Sequence, residues 1–83
     1  MRIPRDLSGS ELVRALAVLG YAVTRQTGIH LRLTTSERGE HHVTVPQQDA
    51  LRLGTLAAIL SDVAEHFGMS RADLVERLFG GSP

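Results

Sequence analysis

The chain has 83 residues with nine arginines, no lysine and nine acidic residues, so its formal net charge is zero. This length suits one small domain with one core. The absence of cysteine excludes disulfides and thiolate metal sites, and the first residues lack the apolar run of a signal peptide. No segment approaches the length of a membrane span, so we expect a soluble protein of the reducing cytoplasm.

The charge is divided unevenly along the chain. Residues 1–38 hold six arginines and three acids, whereas residues 39–83 hold three arginines and six acids. A neutral total argues against a nucleic-acid partner, because such domains usually carry a basic excess. The distribution of charge along the chain is nevertheless more informative than this total.

The first predicted element is a helix over residues 9–19. Ser8 and Glu11 have the spacing of a capping box, and Gly20 stands where a left-handed helix end is expected. The apolar stripe of this helix consists of Leu12, Ala15, Leu16 and Leu19.

Three strands are predicted next, over residues 21–26, 29–35 and 40–45, with Thr27-Gly28 as a two-residue turn between the first two. Strict alternation divides their side chains between two faces. The predicted apolar face comprises Ile29, Leu31, Leu33, Val43 and Val45. The predicted polar face comprises His30, Arg32, Thr34, His42 and Thr44. Arg25 shares the parity of Tyr21 and Val23, so it either ends the first strand or extends from the edge of the apolar face.

Two further helices complete the prediction. The second covers residues 55–67, with Thr55 as its N-cap and His66 on its solvated side. The third is short, covers residues 71–79, and has Gly80-Gly81 as its stop.

The element order predicts a single α+β domain over residues 1–83. Both main helices have to cover the one apolar face of the sheet, which gives a two-layer sandwich. The order α-β-β-β-α, with an extra short C-terminal helix, is that of the double-stranded-RNA-binding fold. The polar face would be left open, with an imidazole beside a guanidinium, a combination suited to chemistry on a phosphodiester.

Several motifs follow one another in a specific order. Residues 25–30 read R-Q-T-G-I-H, residues 43–46 read V-T-V-P, and residues 54–60 read G-T-L-A-A-I-L. With Gly20-Tyr21 after the first helix, these resemble the R-Q-x-G-S-H, V-x-V-P and G-T-L-x-x-I-L motifs of the HicA family of toxins, over about residues 8–68.

The resemblance implies a small RNA-cleaving toxin with a double-stranded-RNA-binding-like fold and with His30 as its catalytic residue. We expect His30 to act as a general base on the RNA 2′-hydroxyl, which requires neither metal nor cofactor. The expected partners are messenger RNA and a HicB-like antitoxin. The candidate substrate contacts are Arg25, Gln26, Gly28, Arg32, His42 and Thr44.

The sequence is compatible with other roles for these residues and for the chain. His42 could be a second acid/base if the register pairs it with His30, whereas adjacent His41 and His42 point to opposite faces and do not form a metal pair. Ile29 replaces the family serine, which together with the neutral charge favours a non-catalytic RNA-binding module as a second hypothesis. A third is a protein-interaction domain whose acidic C-terminal half binds a basic partner.

Overall fold

The structure is a computed structural model and describes residues 3–80. Its elements are α1 (Gly9–Leu16) with a 3-10 turn (Ala17–Leu19), β1 (Ala22–Thr27), β2 (His30–Thr35), β3 (His41–Pro46), α2 (Leu53–Phe67), and α3 (Arg71–Val75) with a π-helical turn (Glu76–Gly80). The predicted α-β-β-β-α order with an additional C-terminal helix is confirmed.

The three strands form one antiparallel sheet in the order β1-β2-β3. Helices cover one face of this sheet, and the other face is open. The core between the layers includes Leu12, Leu16, Leu33, Val45, Leu60, Val63 and Leu74, each at most 1% exposed. All six residues of β1 are exposed, whereas β2 and β3 bury their inward-facing residues. The helical layer therefore covers β2 and β3 and leaves β1 at an open edge.

The start of α1 follows the predicted capping box. The Ser8 hydroxyl accepts from the Glu11 amide at 3.0 Å, and the Glu11 carboxylate accepts from the Ser8 amide at 2.9 Å. These hydrogen bonds, from the Ser8 amide first and its hydroxyl second, lower the pKa of Glu11, with a smaller effect from Arg14. Gly20 ends the segment with a φ of 84°, as predicted.

The other two helices depart from their predicted ends. Thr55 does not cap α2, because the helix already begins at Leu53 and the Leu56 amide donates to the Arg52 carbonyl at 2.9 Å. The third helix, predicted over residues 71–79, is helical to Gly80, but beyond Val75 the α-helix widens into the π-helical turn. Gly81, half of the predicted stop, lies outside the described residues. None of the helices within residues 3–80 is long and apolar enough to cross a membrane.

Candidate functional site on the open face of the sheet

The β1–β2 turn lies one residue later than predicted. Thr27 pairs with His30, so the two turn residues are Gly28 and Ile29. Gly28 has a φ of 59°, a conformation that favours glycine and that hairpins often use at the first turn position. Ile29 consequently leaves the strand and is 50% exposed. The prediction that Ile29 belongs to the apolar face is wrong, because the turn takes up this residue.

The strand before the turn contains a β-bulge at Thr24. Val23 pairs with Leu33, but Arg25 pairs with Arg32, so Thr24 is an extra residue on the β1 side. Residues directly opposite one another share a face of a sheet. Arg25 therefore lies on the open face with Arg32, and its predicted place at the edge of the apolar face is wrong because the bulge reverses the parity of the strand.

His30 stands at the end of the open face next to the turn. It lies opposite Thr27 on β1 and Pro46 on β3, and its side chain is exposed. No other residue within 3–80 forms a side-chain hydrogen bond or ion pair with it. An unengaged imidazole on an uncovered surface is accessible to a bound molecule and can accept a proton from it.

Two guanidinium groups share this face with the imidazole. Arg32 lies two residues along β2 from His30, or about 7 Å along the strand. Arg25 lies directly opposite Arg32, and Thr44 flanks Arg32 on β3. The ion pairs within residues 3–80 involve His41 with Asp62 and His42 with Glu40, so neither arginine has an acidic partner there. The result is a local positive charge on a molecule of zero net charge.

His42 is on the open face but far from His30. It pairs with Thr34, four residues along β2, or about 13 Å from His30 along the strand. Its Nδ1 is 2.8 Å from the Thr34 hydroxyl, and its Nε2 is 3.0 Å from a Glu40 carboxylate oxygen. The hypothesis that the register pairs His42 with His30 is wrong.

Gln26 shapes the turn rather than extending the polar face. It lies opposite Leu31, on the side of the sheet that faces the helices. Its amide donates to the Gly28 carbonyl at 3.2 Å and to the Gln47 side-chain oxygen at 3.4 Å. The Gln47 backbone amide donates to the Ile29 carbonyl at 2.6 Å. Gln47, which the sequence motifs did not single out, therefore connects the end of β3 to the turn before His30.

A second polar cluster lies at the opposite end of the sheet. The Asp62 carboxylate accepts from His41 Nε2 at 3.1 Å, and His41 Nδ1 forms a hydrogen bond of 2.7 Å with the Tyr21 hydroxyl. Burial raises the pKa of Tyr21 to about 12, with a smaller contribution from the negative charge of Asp62. His66 stacks on His41 with ring centroids 4.4 Å apart and donates from Nε2 to the Glu37 carbonyl. His66 is half-buried rather than fully solvated as predicted, because His41 on β3 provides a packing surface for it.

This second cluster stabilises the contact between β3 and α2. Tyr21 is 3% exposed, so its hydroxyl is inaccessible to a substrate. Within residues 3–80, no group of three or more histidine, cysteine or acidic side chains is arranged to hold a metal ion. The open face near His30, in contrast, carries exposed polar side chains that have no partner within residues 3–80.

The fold and this face define a small α+β protein of the double-stranded-RNA-binding type, with a histidine and two arginines on the uncovered side of its sheet. Residues 9–64 match the family described as the HicA toxin of bacterial toxin-antitoxin systems. Since the match covers more than half of the chain, the protein belongs to the HicA toxin family. No curated protein and no solved structure gives a significant match.

Proposed function

We propose that the protein is the ribonuclease toxin of a toxin–antitoxin module, that it cleaves messenger RNA in the cytoplasm, and that a HicB-like antitoxin neutralises it by covering the open face. The observation that carries this proposal is the exposed, unengaged His30 on the uncovered face of a chain that belongs to the HicA toxin family. A catalytic imidazole has to come within hydrogen-bond reach of the proton that it accepts, and the exposed side chain of His30 is accessible to a bound RNA.

The proposed reaction uses the RNA's own 2′-hydroxyl as the nucleophile. His30 accepts the proton of this hydroxyl as its oxygen attacks the adjacent phosphorus. A bond forms between phosphorus and the 2′-oxygen, the bond to the 5′-oxygen breaks, and the leaving oxygen takes a proton from water. The protonated His30 returns its proton to the hydroxide that remains, which restores both the base and the water. The products are a 2′,3′-cyclic phosphate and a 5′-hydroxyl, and no metal or cofactor enters the reaction. DNA is not a substrate in this scheme because it lacks the nucleophile.

The surroundings of His30 support binding of a polyanion. Arg25 and Arg32 supply positive charge on the same face, and Thr44 adds a hydroxyl beside them. Gln26 and Gly28 contribute by fixing the turn before His30. His42 has Glu40 and Thr34 as partners, so in this proposal it is a peripheral contact at most.

A second candidate function is RNA binding without cleavage. Ile29, which stands where the family motif has serine, is half-exposed immediately before His30. An apolar side chain there cannot donate a hydrogen bond to a phosphate oxygen, as a serine hydroxyl could. This candidate predicts tight RNA binding without any cleaved product.

The experiment that separates these candidates is cleavage of a long unstructured RNA by purified protein, without ribosomes and with a metal chelator present. His30→Ala is the test variant. His42→Ala is the matched control, because it removes an imidazole from the same face about 13 Å further along β2. We expect the parent and His42→Ala to produce fragments ending in a cyclic phosphate, and His30→Ala to produce none.

Intact RNA with folded parent protein would contradict the nuclease proposal. If the parent still binds the RNA under those conditions, the binding module becomes the better description. Equal cleavage by the parent and by His30→Ala would instead exclude His30 as the catalytic base.

A further inference from the structure

The β-bulge at Thr24 decides which side of the sheet Arg25 occupies. In a regular strand continuing from the Val23–Leu33 pair, Thr24 would lie opposite Arg32, and Arg25 would lie opposite Leu31 on the side of the helices. The extra residue instead moves Arg25 into register with Arg32. Bulges are frequent beside active sites, where they redirect a side chain.

Side-chain hydrogen bonds hold the bulge in place. The Thr24 hydroxyl donates to the Arg32 carbonyl at 3.3 Å, and it lies 2.8 Å from the Thr34 hydroxyl. Both contacts run from the extra residue to β2. Thr24 therefore connects the irregular part of β1 to the strand that carries Arg32 and His30.

The resulting pair of arginines is unfavourable without a ligand. Like charges directly opposite one another on neighbouring strands destabilise a sheet. Neither Arg25 nor Arg32 forms an ion pair with an acidic residue within 3–80. A bound phosphate would remove this repulsion, since its oxygens accept hydrogen bonds from both guanidinium groups.

We infer that Arg25 and Arg32, aligned by the bulge at Thr24, form a two-guanidinium site for a single RNA phosphate beside His30. This inference deepens the proposed function, on which its choice of RNA as ligand rests. Arg32 is two residues from His30 on the same strand face, so the phosphate held by the pair is at or next to the one that is cleaved. Thr24 is the positioning residue, and the two arginines are the binding residues.

The test measures binding apart from cleavage. The probe is a fluorescent single-stranded 2′-O-methyl RNA oligonucleotide, which lacks the free 2′-hydroxyl and cannot be cleaved by the proposed reaction. Arg25→Gln and Arg32→Gln should each weaken binding about fivefold to tenfold, and the double variant should lower the slope of log K against log salt by about 0.7 in total, the value for a single phosphate. Arg77→Gln, an identical charge change on an exposed residue of the C-terminal turn, should change binding less than about twofold.

A charge-preserving swap tests the direction of the side chain. The double variant Arg25→Gln/Gln26→Arg keeps composition and net charge but moves the guanidinium to the position opposite Leu31. We expect it to bind as weakly as Arg25→Gln. Parent-like binding by the swap variant, or an Arg25→Gln effect no larger than that of Arg77→Gln, would overturn the inference.

Thr24→Val provides a second test, of the positioning residue. It removes the hydroxyl that contacts the Arg32 carbonyl and the Thr34 hydroxyl, so binding should weaken toward that of Arg25→Gln. Parent-like binding by folded Thr24→Val would contradict the positioning role of Thr24.

Folding is checked by thermal unfolding without ligand. At low salt, Arg25→Gln should unfold at a slightly higher temperature than the parent because the repulsion is gone, and a lower temperature would count against the pair.

Failure of the proposed function is distinguishable from failure of this inference. If RNA binding depends on both arginines but no RNA is cleaved, the phosphate site stands and the nuclease proposal fails. If cleavage depends on His30 but neither arginine affects binding, the phosphate site is contradicted.

Discussion

The buried phenol of Tyr21 should make the stability of this protein depend on alkaline pH. Tyr21 is 3% exposed and hydrogen-bonded to His41, and burial raises its pKa from 10.0 to about 12. The chain has a single tyrosine, no lysine and no cysteine. Tyr21 is therefore the one side chain expected to titrate between pH 9 and 12, since arginine stays protonated there.

The sign of the effect follows from the direction of the pKa change. Between pH 10 and 12 the folded protein keeps the phenol proton that the unfolded chain has lost, so the free energy of unfolding falls as pH rises. The stabilisation is complete below pH 10 and is lost as pH rises through the folded-state pKa. Each pKa unit corresponds to 1.36 kcal/mol, so a rise from 10.0 to about 12 gives a loss of about 3 kcal/mol.

Two measurements test this value. The near-ultraviolet absorbance of the phenolate gives the pKa of Tyr21 directly, in native protein and in concentrated urea. Urea unfolding at a series of pH values then gives the free energy of unfolding at each pH. The control is Tyr21→Phe, which keeps a ring beside Phe67 and should lose about 1 kcal/mol near neutral pH with the hydrogen bond to His41.

Tyr21→Phe should also lose the alkaline decline between pH 10 and 12. A native phenolate midpoint near 10 would refute the reasoning, because the hydroxyl would then be as accessible as in the unfolded chain. An equally steep decline in Tyr21→Phe would refute it as well.

Three substitutions test the packing, each by urea unfolding near neutral pH. Gly9→Ala should cost about 1–3 kcal/mol because a Cβ there collides with the Pro46 carbonyl. Gly54→Ala, in the open first turn of α2, should stabilise by about 0.4–1 kcal/mol, and any loss would count against the helix start. Thr35→Val should cost about 1–3 kcal/mol because the buried hydroxyl donates to the Leu19 carbonyl at 2.8 Å; an unchanged midpoint would contradict this bond.

Local sequence signals predicted the features that depend on local physics. The capping box of Ser8 and Glu11 and the left-handed Gly20 are short-range devices, and each was found where the spacing predicted it. The alternation along β2 was also reliable, since the strand is unbroken and buries Leu31 and Leu33 on one side. Local signals of this kind predicted the order of the elements and the face of the sheet on which His30 lies.

The sequence-based predictions fail where contacts between residues distant in sequence override the local pattern. Threonine suits a regular strand, so nothing in the sequence around Thr24 marks a bulge. Its presence follows from the register with β2, and this register moved Arg25 to the open face. Similarly, the helical period assigns His66 a direction but cannot reveal that His41 lies beside it, because that contact joins residues distant in sequence.

The division of the sheet into a packed side and an uncovered side also affects how such a protein can change during evolution. His30 and Arg32 are exposed and contribute nothing to the core, whereas Leu31 and Leu33, which alternate with them, are buried. Single-base changes in the codons of these exposed residues can therefore alter the side chains of the open face while the chain still folds. A lineage under pressure to lose a harmful activity could do so in one step and still retain a folded surface for any partner of that face.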